Sequence, residues 1–206
     1  MIKQLSWRLP ILAGVLAASA GSATAQTTNC SGALAPGSYT SVNVPAGQSC
    51  FVTASTLPVN VTGNVTVGTG ATLVASPPAF PNPANFVVNG SLLSTGAATI
   101  EITAENILGN VSVSGTTLGA FVTDSFIGGT LSVSNSKVVG MVFSRNNVGG
   151  SMLVQNNQCF NEANCDAVGA NVIGGSLVCS GNSPPPVDIG GPNTVGGSKV
   201  AQCSGL

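Results

Sequence analysis

From residue 61 onward the chain keeps returning to one short pattern: an apolar residue, a glycine two places later, then apolar residues at alternate positions. It reads Val61, Gly63, Val65, Val67; Ile107, Gly109, Val111, Val113; and Ile127, Gly129, Leu131, Val133. Val148, Gly150, Met152, Val154 and Ile173, Gly175, Leu177, Cys179 follow. Val88, Gly90, Leu92 fits with Ser94 in the last slot, and Val195, Gly197 keeps the first half only. Successive glycines stand 27, 19, 20, 21, 25 and 22 residues apart. A period near 20 marks a solenoid, whose units cannot bury an apolar face except against their neighbours.

The two-residue alternation inside each unit predicts a strand, with Val65, Val67 and their equivalents on one side. A second alternating run precedes the next anchor, as Ala98-Ile100-Ile102, Leu118-Ala120-Val122 and Val139-Met141-Phe143. Each coil therefore holds at least two strands. A turn is placed at the repeating glycine, where positive φ or a close approach is tolerated. No stretch after residue 25 has a 3.6-residue apolar period, which argues against leucine-rich repeats carrying helices. With rungs roughly 4.8 Å apart, the seven anchors span on the order of 30 Å. The expected fold is all-β: a single parallel β-helix, or solenoid, of about seven coils.

Insertions fall where the spacing lengthens. They are "ASPPAFPNPANF" (75–86), whose prolines cannot donate to a central ladder, "QNNQCFNEANCDAVGAN" (155–171) and "CSGNSPPPVDIGGPN" (179–193). Such loops are expected to project from the sides of the rod, where binding usually resides. The ends need cover, because a terminal coil exposes apolar rungs and unpaired edges. "CSGALAPGSYTSVNVPAGQSC" (30–50) fits an N-terminal cap within residues 26–57, bridged Cys30–Cys50, ahead of coils and a C-terminal cap over 58–206. Cys179 and Cys203 fall on like-facing positions of the last two coils, so a bridge there would pin the final turn. Cys159 and Cys165 close a small loop. Lys199 occupies a slot that is inward on other coils, so the stack is expected to open to solvent there.

All six cysteines lie beyond residue 25, and an even count in an exported chain reads as disulfides. Their spacing fits no zinc pattern, and the sequence has no histidine. Export is read from the start of the chain. Lys3 and Arg8 precede an apolar run from Leu9 to Ala18, and Ala23-Thr24-Ala25 has the small-x-small form of a cleavage site. Residues 1–25 are therefore read as a signal peptide, and 26–206 as one domain. The run is shorter than the roughly 20 residues that a bilayer-spanning helix needs. The expected location is periplasmic, secreted or cell-surface. Losing Lys3 and Arg8 with the leader takes the net charge from −1 to −3. No basic patch then exists to neutralise phosphates, which disfavours nucleic acid as a partner.

The rungs "GNVTV", "GNVSV", "GGTLSV" and "GGSMLV", framed by the two cysteine-bearing ends, resemble those of exported right-handed parallel β-helix proteins of the pectin-lyase-like type, including uncharacterised bacterial secreted members. That superfamily includes pectate lyases, polygalacturonases, phage tailspikes and adhesins. The resemblance covers nearly all of the chain after residue 25, and it specifies fold far more than chemistry.

Lyases of this kind use acidic side chains to hold Ca²⁺ and a nearby Arg or Lys as base. Counting back from the anchors puts Asp124 and Arg145 at equivalent positions on adjacent coils, with Glu105 one position off on the coil before. Glu101 shares its column with Phe121 and Val142 and not with another acid. The enzymatic reading is thus a Glu105–Asp124–Arg145 flank, whose only implied cofactor is Ca²⁺. The plainer reading is one exposed ion pair across coils. A hydrolase needs two carboxylates facing one bond, and no second acid is in register. A histidine-based triad is excluded. Thr103, Thr123 and Ser144 form a short outward hydroxyl column, the kind of array that binds sugars or ice when it is long. Asn106, Asn147, Asn156, Asn157 and Asn171 suit turns and side-chain ladders.

The leading expectation is a non-enzymatic exported β-helix of surface, adhesion or envelope type that presents loops on a stiff rod and has no cofactor. Its partners would be polysaccharide or cell-surface components. A polysaccharide lyase, hydrolase-like or carbohydrate-binding protein is the alternative, and ice binding is the third.

Overall fold

A computed structural model of the chain describes residues 26–52, 57–76, 86–160 and 165–206. The expected signal peptide and most of the 75–86 insertion lie outside the described residues. Among the described residues there are 25 strands and no helix, and every strand pairing is parallel. The chain winds as a parallel β-solenoid of about seven turns.

The anchors fix one wall. Val61, Val88, Ile107, Ile127, Val148, Ile173 and Val195 stand in register on successive coils. A second wall carries Val42, Val65, Leu92, Val111, Leu131, Met152, Leu177 and Lys199 in one column. The long strand Gly37–Val44 pairs with both walls and joins them into one sheet. A third wall is a separate seven-stranded sheet, with Cys50, Leu73, Ile100, Ala120, Met141 and Asp166 in register. A short pair, Lys137–Val138 with Gln158–Cys159, forms a fourth, partial wall.

Every second residue of these walls points inward, as the alternation requires. Val65, Val67, Leu92, Val111, Leu131, Val133, Met152 and Val154 are all buried. Each buried valine, leucine or methionine contributes about 1.5–3 kcal/mol relative to exposure, so the inward columns of the three walls together are the main source of stability. The second wall's column weakens at the C-terminal end, where half-buried Lys199 follows buried Leu177, as the sequence predicts.

The repeating glycines serve close approach and not positive φ. Gly149 illustrates the reason: a Cβ there would run into the carbonyl oxygen of Gly128 on the coil above. Gly150 meets the Thr130 hydroxyl in the same way, and its N–H donates to the Gly129 carbonyl at 2.9 Å. Coils can stack at strand spacing on this corner only where side chains are missing.

Three expectations need revision. Leu118 and Val139 do not belong to the inward set of their runs. The third-wall strands begin at Gly119 and Gly140, so the corner before them turns these side chains out. The N-terminal segment is a first coil of the same walls more than a separate cap, since Val42 and Cys50 are already in register with Val65 and Leu73. The 179–193 stretch does not project as a free loop. Ser183 bridges Gln158 and Val187 bridges Ala167, so it continues the wall.

The cysteines pair as Cys30–Cys50, Cys159–Cys165 and Cys179–Cys203. The first and last lie near the two ends. Cys179 is in strand register with Ala201, and Cys203 reaches it from the turn two residues later.

Candidate functional site

The turns that join the walls place the polar side chains. Ala104, Asp124, Asn135, Arg145, Asn156, Ala170 and Ala201 all adopt φ between 52° and 58°. Each left-handed residue reverses the next side chain into the wall. Glu105, Ser125, Asn146 and Asn171 thereby enter one buried column, which Asn193 continues; Ser136, Asn157 and half-buried Gln202 enter another, together with Thr116 and Asn182, which follow left-handed Gly115 and Gly181.

These columns are hydrogen-bonded ladders. In the first, the N–H groups of Ser125, Asn146 and Asn171 donate to the side-chain oxygens of Asn146, Asn171 and Asn193 at 3.1, 2.9 and 3.1 Å. The amide nitrogens of Asn146, Asn171 and Asn193 donate to the carbonyls of Val122, Phe143 and Val168. In the second, Asn157 and Asn182 donate to the Val133 and Val154 carbonyls, and Gln202 closes the ladder on the Asn182 carbonyl at 2.9 Å. Bent backbone leaves groups that strand pairing cannot reach, and buried groups of that kind need partners. The ladders supply them.

The three proposed flank residues separate. Arg145 Nε and Nη2 donate to the two carboxylate oxygens of Asp124, each at 2.6 Å, a bidentate pair between adjacent coils. The hydrogen bond to Asp124 raises the guanidinium pKa further, against a smaller opposing effect of burial. Glu105 instead occupies the inward ladder. It is buried, its Oε2 accepts the Phe86 N–H at 2.7 Å, and its own N–H donates to Ser125 Oγ at 3.2 Å. A shift of one position changes the face of the coil, so Glu105 and Asp124 do not share a flank.

Glu101 sits in register with Val74, Phe121 and Val142, as the sequence count gives it. Thr103 and Thr123 hydroxyls meet at 3.2 Å. Ser144 is next in register but buried, so the outward hydroxyl column is shorter than expected, and Gly169 follows it. Of the five asparagines singled out, Asn157 and Asn171 are ladder members and Asn156 takes a left-handed turn position. Asn106 and Asn147 lie on strand positions pointing away from the core.

Sequence reasoning did not single out Ser125, Asn146 and Asn193 as ladder members. The signal was present two residues before each anchor: Glu105, Ser125, Asn146, Asn171 and Asn193 precede Ile107, Ile127, Val148, Ile173 and Val195 at that offset. Another unpredicted feature is an exposed apolar column on the corner before the third wall. Leu118, Val139 and Phe160 are 54%, 56% and 60% exposed on consecutive coils.

Among the described residues, no group of three or more His, Cys, Asp or Glu is placed to hold a metal ion. Having no helix, they include none long and apolar enough to cross a membrane. Comparison with protein-family models, with curated proteins and with solved structures returns no match. Three disulfides point to an oxidising compartment.

Proposed function

We propose that the protein is an exported structural rod of surface, adhesion or envelope type, related to the pectin-lyase-like β-helices, that acts by presenting its sides to polysaccharide or other cell-surface components without catalysing a reaction. The observation that supports this most is the pair of buried ladders. From Glu105 onward they fix coil to coil by side-chain hydrogen bonds as well as strand pairing, the construction a stiff scaffold needs. The exposed Leu118–Val139–Phe160 column adds an apolar strip suited to contact.

The test begins with export. Expressed with its own leader, the protein should be recovered outside the cytoplasm with Gln26 as its first residue. Applied to a glycan array, the mature chain should bind a restricted set of glycans. An uncleaved chain held in the cytoplasm would contradict the proposal.

A polysaccharide lyase is the second reading. The cross-coil Asp124–Arg145 pair favours it, since it sets an acid beside a cation on an outer flank. Ca²⁺-dependent release of unsaturated products from polyuronates, lost in both Asp124→Ala and Arg145→Ala, would establish that reading in place of the first.

A further inference from the structure

A fully buried ionisable side chain stands where the fold calls for an apolar one. Asp166 continues the inward column Cys50, Leu73, Ile100, Ala120, Met141 on the third wall. It is 2% exposed, and all four residues of its strand, Asp166–Gly169, are buried. Neither carboxyl oxygen has a hydrogen-bond partner among the described residues. An ionised carboxylate left in such surroundings is strongly unfavourable, so the group stays neutral instead.

Among the described residues, the elements around it bring no compensating charge. The strand Gly140–Ser144 contributes Met141 in register, and the Val187 segment pairs through backbone with Asp166 and Val168. Asp188 is exposed and lies beside Gly169. Cys159 and Cys165 are tied to each other. Glu105 is three coils away on a different column, and Glu162 lies outside the described residues. Burial alone accordingly pushes the Asp166 carboxyl up from 3.8 to about 7.

We infer that Asp166 is a proton-operated latch for the C-terminal coils: neutral, it completes the apolar column and holds Asp166–Gly169 on Gly140–Ser144, and ionised, it releases that strand and the Val187 segment paired behind it. The geometry makes the release directional. Upstream coils are held by apolar rungs at the same slot, whereas Asp166 is the last full rung of its sheet, with only the Val187 bridge beyond it. Ser183 and Gly191 carbonyls, which accept from Cys159 and Ala170, would loosen with it.

The direction of the pH effect follows from linkage. With a folded value near 7 and an unfolded value of 3.8, the folded state binds the extra proton between those limits. The latch is therefore fully closed below about pH 4, weakens as pH rises toward 7, and gains nothing further from this group above that. Between pH 5 and pH 8 the closing equilibrium of these coils should fall by about a hundredfold.

The test uses the full chain after leader removal, with its disulfides intact. Carboxyl ¹³C NMR should show Asp166 titrating near neutrality, well above the exposed carboxylates. Amide exchange over residues 165–187, corrected for the intrinsic pH dependence of exchange, should report the hundredfold rise in opening. Asp166→Asn, which keeps the shape without the charge, should reduce that change to less than about threefold, and Glu162→Gln should leave it intact. If Asp166→Asn does not fold, Asp166→Met, copying the rung above, serves in its place. A carboxyl titrating near 4, an unchanged pH response in the Asp166 variants, or loss of the response in Glu162→Gln would each overturn the inference.

Discussion

The substitution Asn171→Leu isolates what the buried ladder contributes. The Asn171 side chain accepts from the Asn146 N–H at 2.9 Å and from Asn146 Nδ2 at 3.0 Å. It donates to the Phe143 carbonyl at 2.8 Å and to Asn193 Oδ1 at 2.9 Å. Leucine has the same branched shape and is somewhat larger, so no cavity is made, but the Asn146 N–H and the Phe143 carbonyl lose these partners in a buried place. Each such group costs about 1–3 kcal/mol, giving about 2–6 kcal/mol in all. That is a large share of the roughly 5–15 kcal/mol by which a domain is stable. Urea unfolding followed by circular dichroism measures the loss, with amide exchange at Asn146 as the local readout. Asn147→Ala, one residue away and exposed, should stay within about 0.5 kcal/mol of the parent. If Asn171→Leu did the same and the Asn146 amide stayed protected, the ladder would not be holding the coils and the reasoning would fail.

Gly149→Ala should destabilise by about 1–3 kcal/mol, since its Cβ meets the Gly128 carbonyl, whereas Gly205→Ala, with open space around it, should be neutral in the same unfolding assay. A double-mutant cycle on Asp124→Asn and Arg145→Gln should give a coupling below about 1 kcal/mol that shrinks further in concentrated salt, because the pair is exposed on the Arg145 side. Replacing Cys30 and Cys50 by alanine should cost about 2–4 kcal/mol, and amide exchange should locate the loosening in residues 26–52 ahead of the later coils.

The walls were legible in the sequence because a rung is defined by residue type at fixed offsets. Leu131 over Met152, and Ile127 over Val148, follow from counting alone, and so does Asp124 over Arg145. The ladders were half legible: asparagines mark them, but Ser125 and Ser136 do the same work with a commonplace residue. The left-handed turns were marked on one corner only: Gly115, Asn135, Asn156 and Gly181 are residue types that favour positive φ, whereas Ala104, Asp124, Arg145 and Ala170 share only a position. Asp166 was within reach of the same count and was overlooked: it stands seven residues before Ile173, as Ile100, Ala120 and Met141 stand before Ile107, Ile127 and Val148, and the strand register agrees. The prolines of 179–193 read as a loop, yet Ser183 and Val187 offer their backbone groups to the wall on either side of them.

The whole account rests on residues about one period apart meeting inside the rod. Methyl-selective NMR can test that for Val111, Leu131, Met152 and Leu177, which share one inward column. Strong methyl–methyl contacts should link Val111 to Leu131, Leu131 to Met152 and Met152 to Leu177, each across a single coil. Absence of a Leu131–Met152 contact, with either methyl close instead to residues several coils away, would contradict the solenoid and everything built on its register.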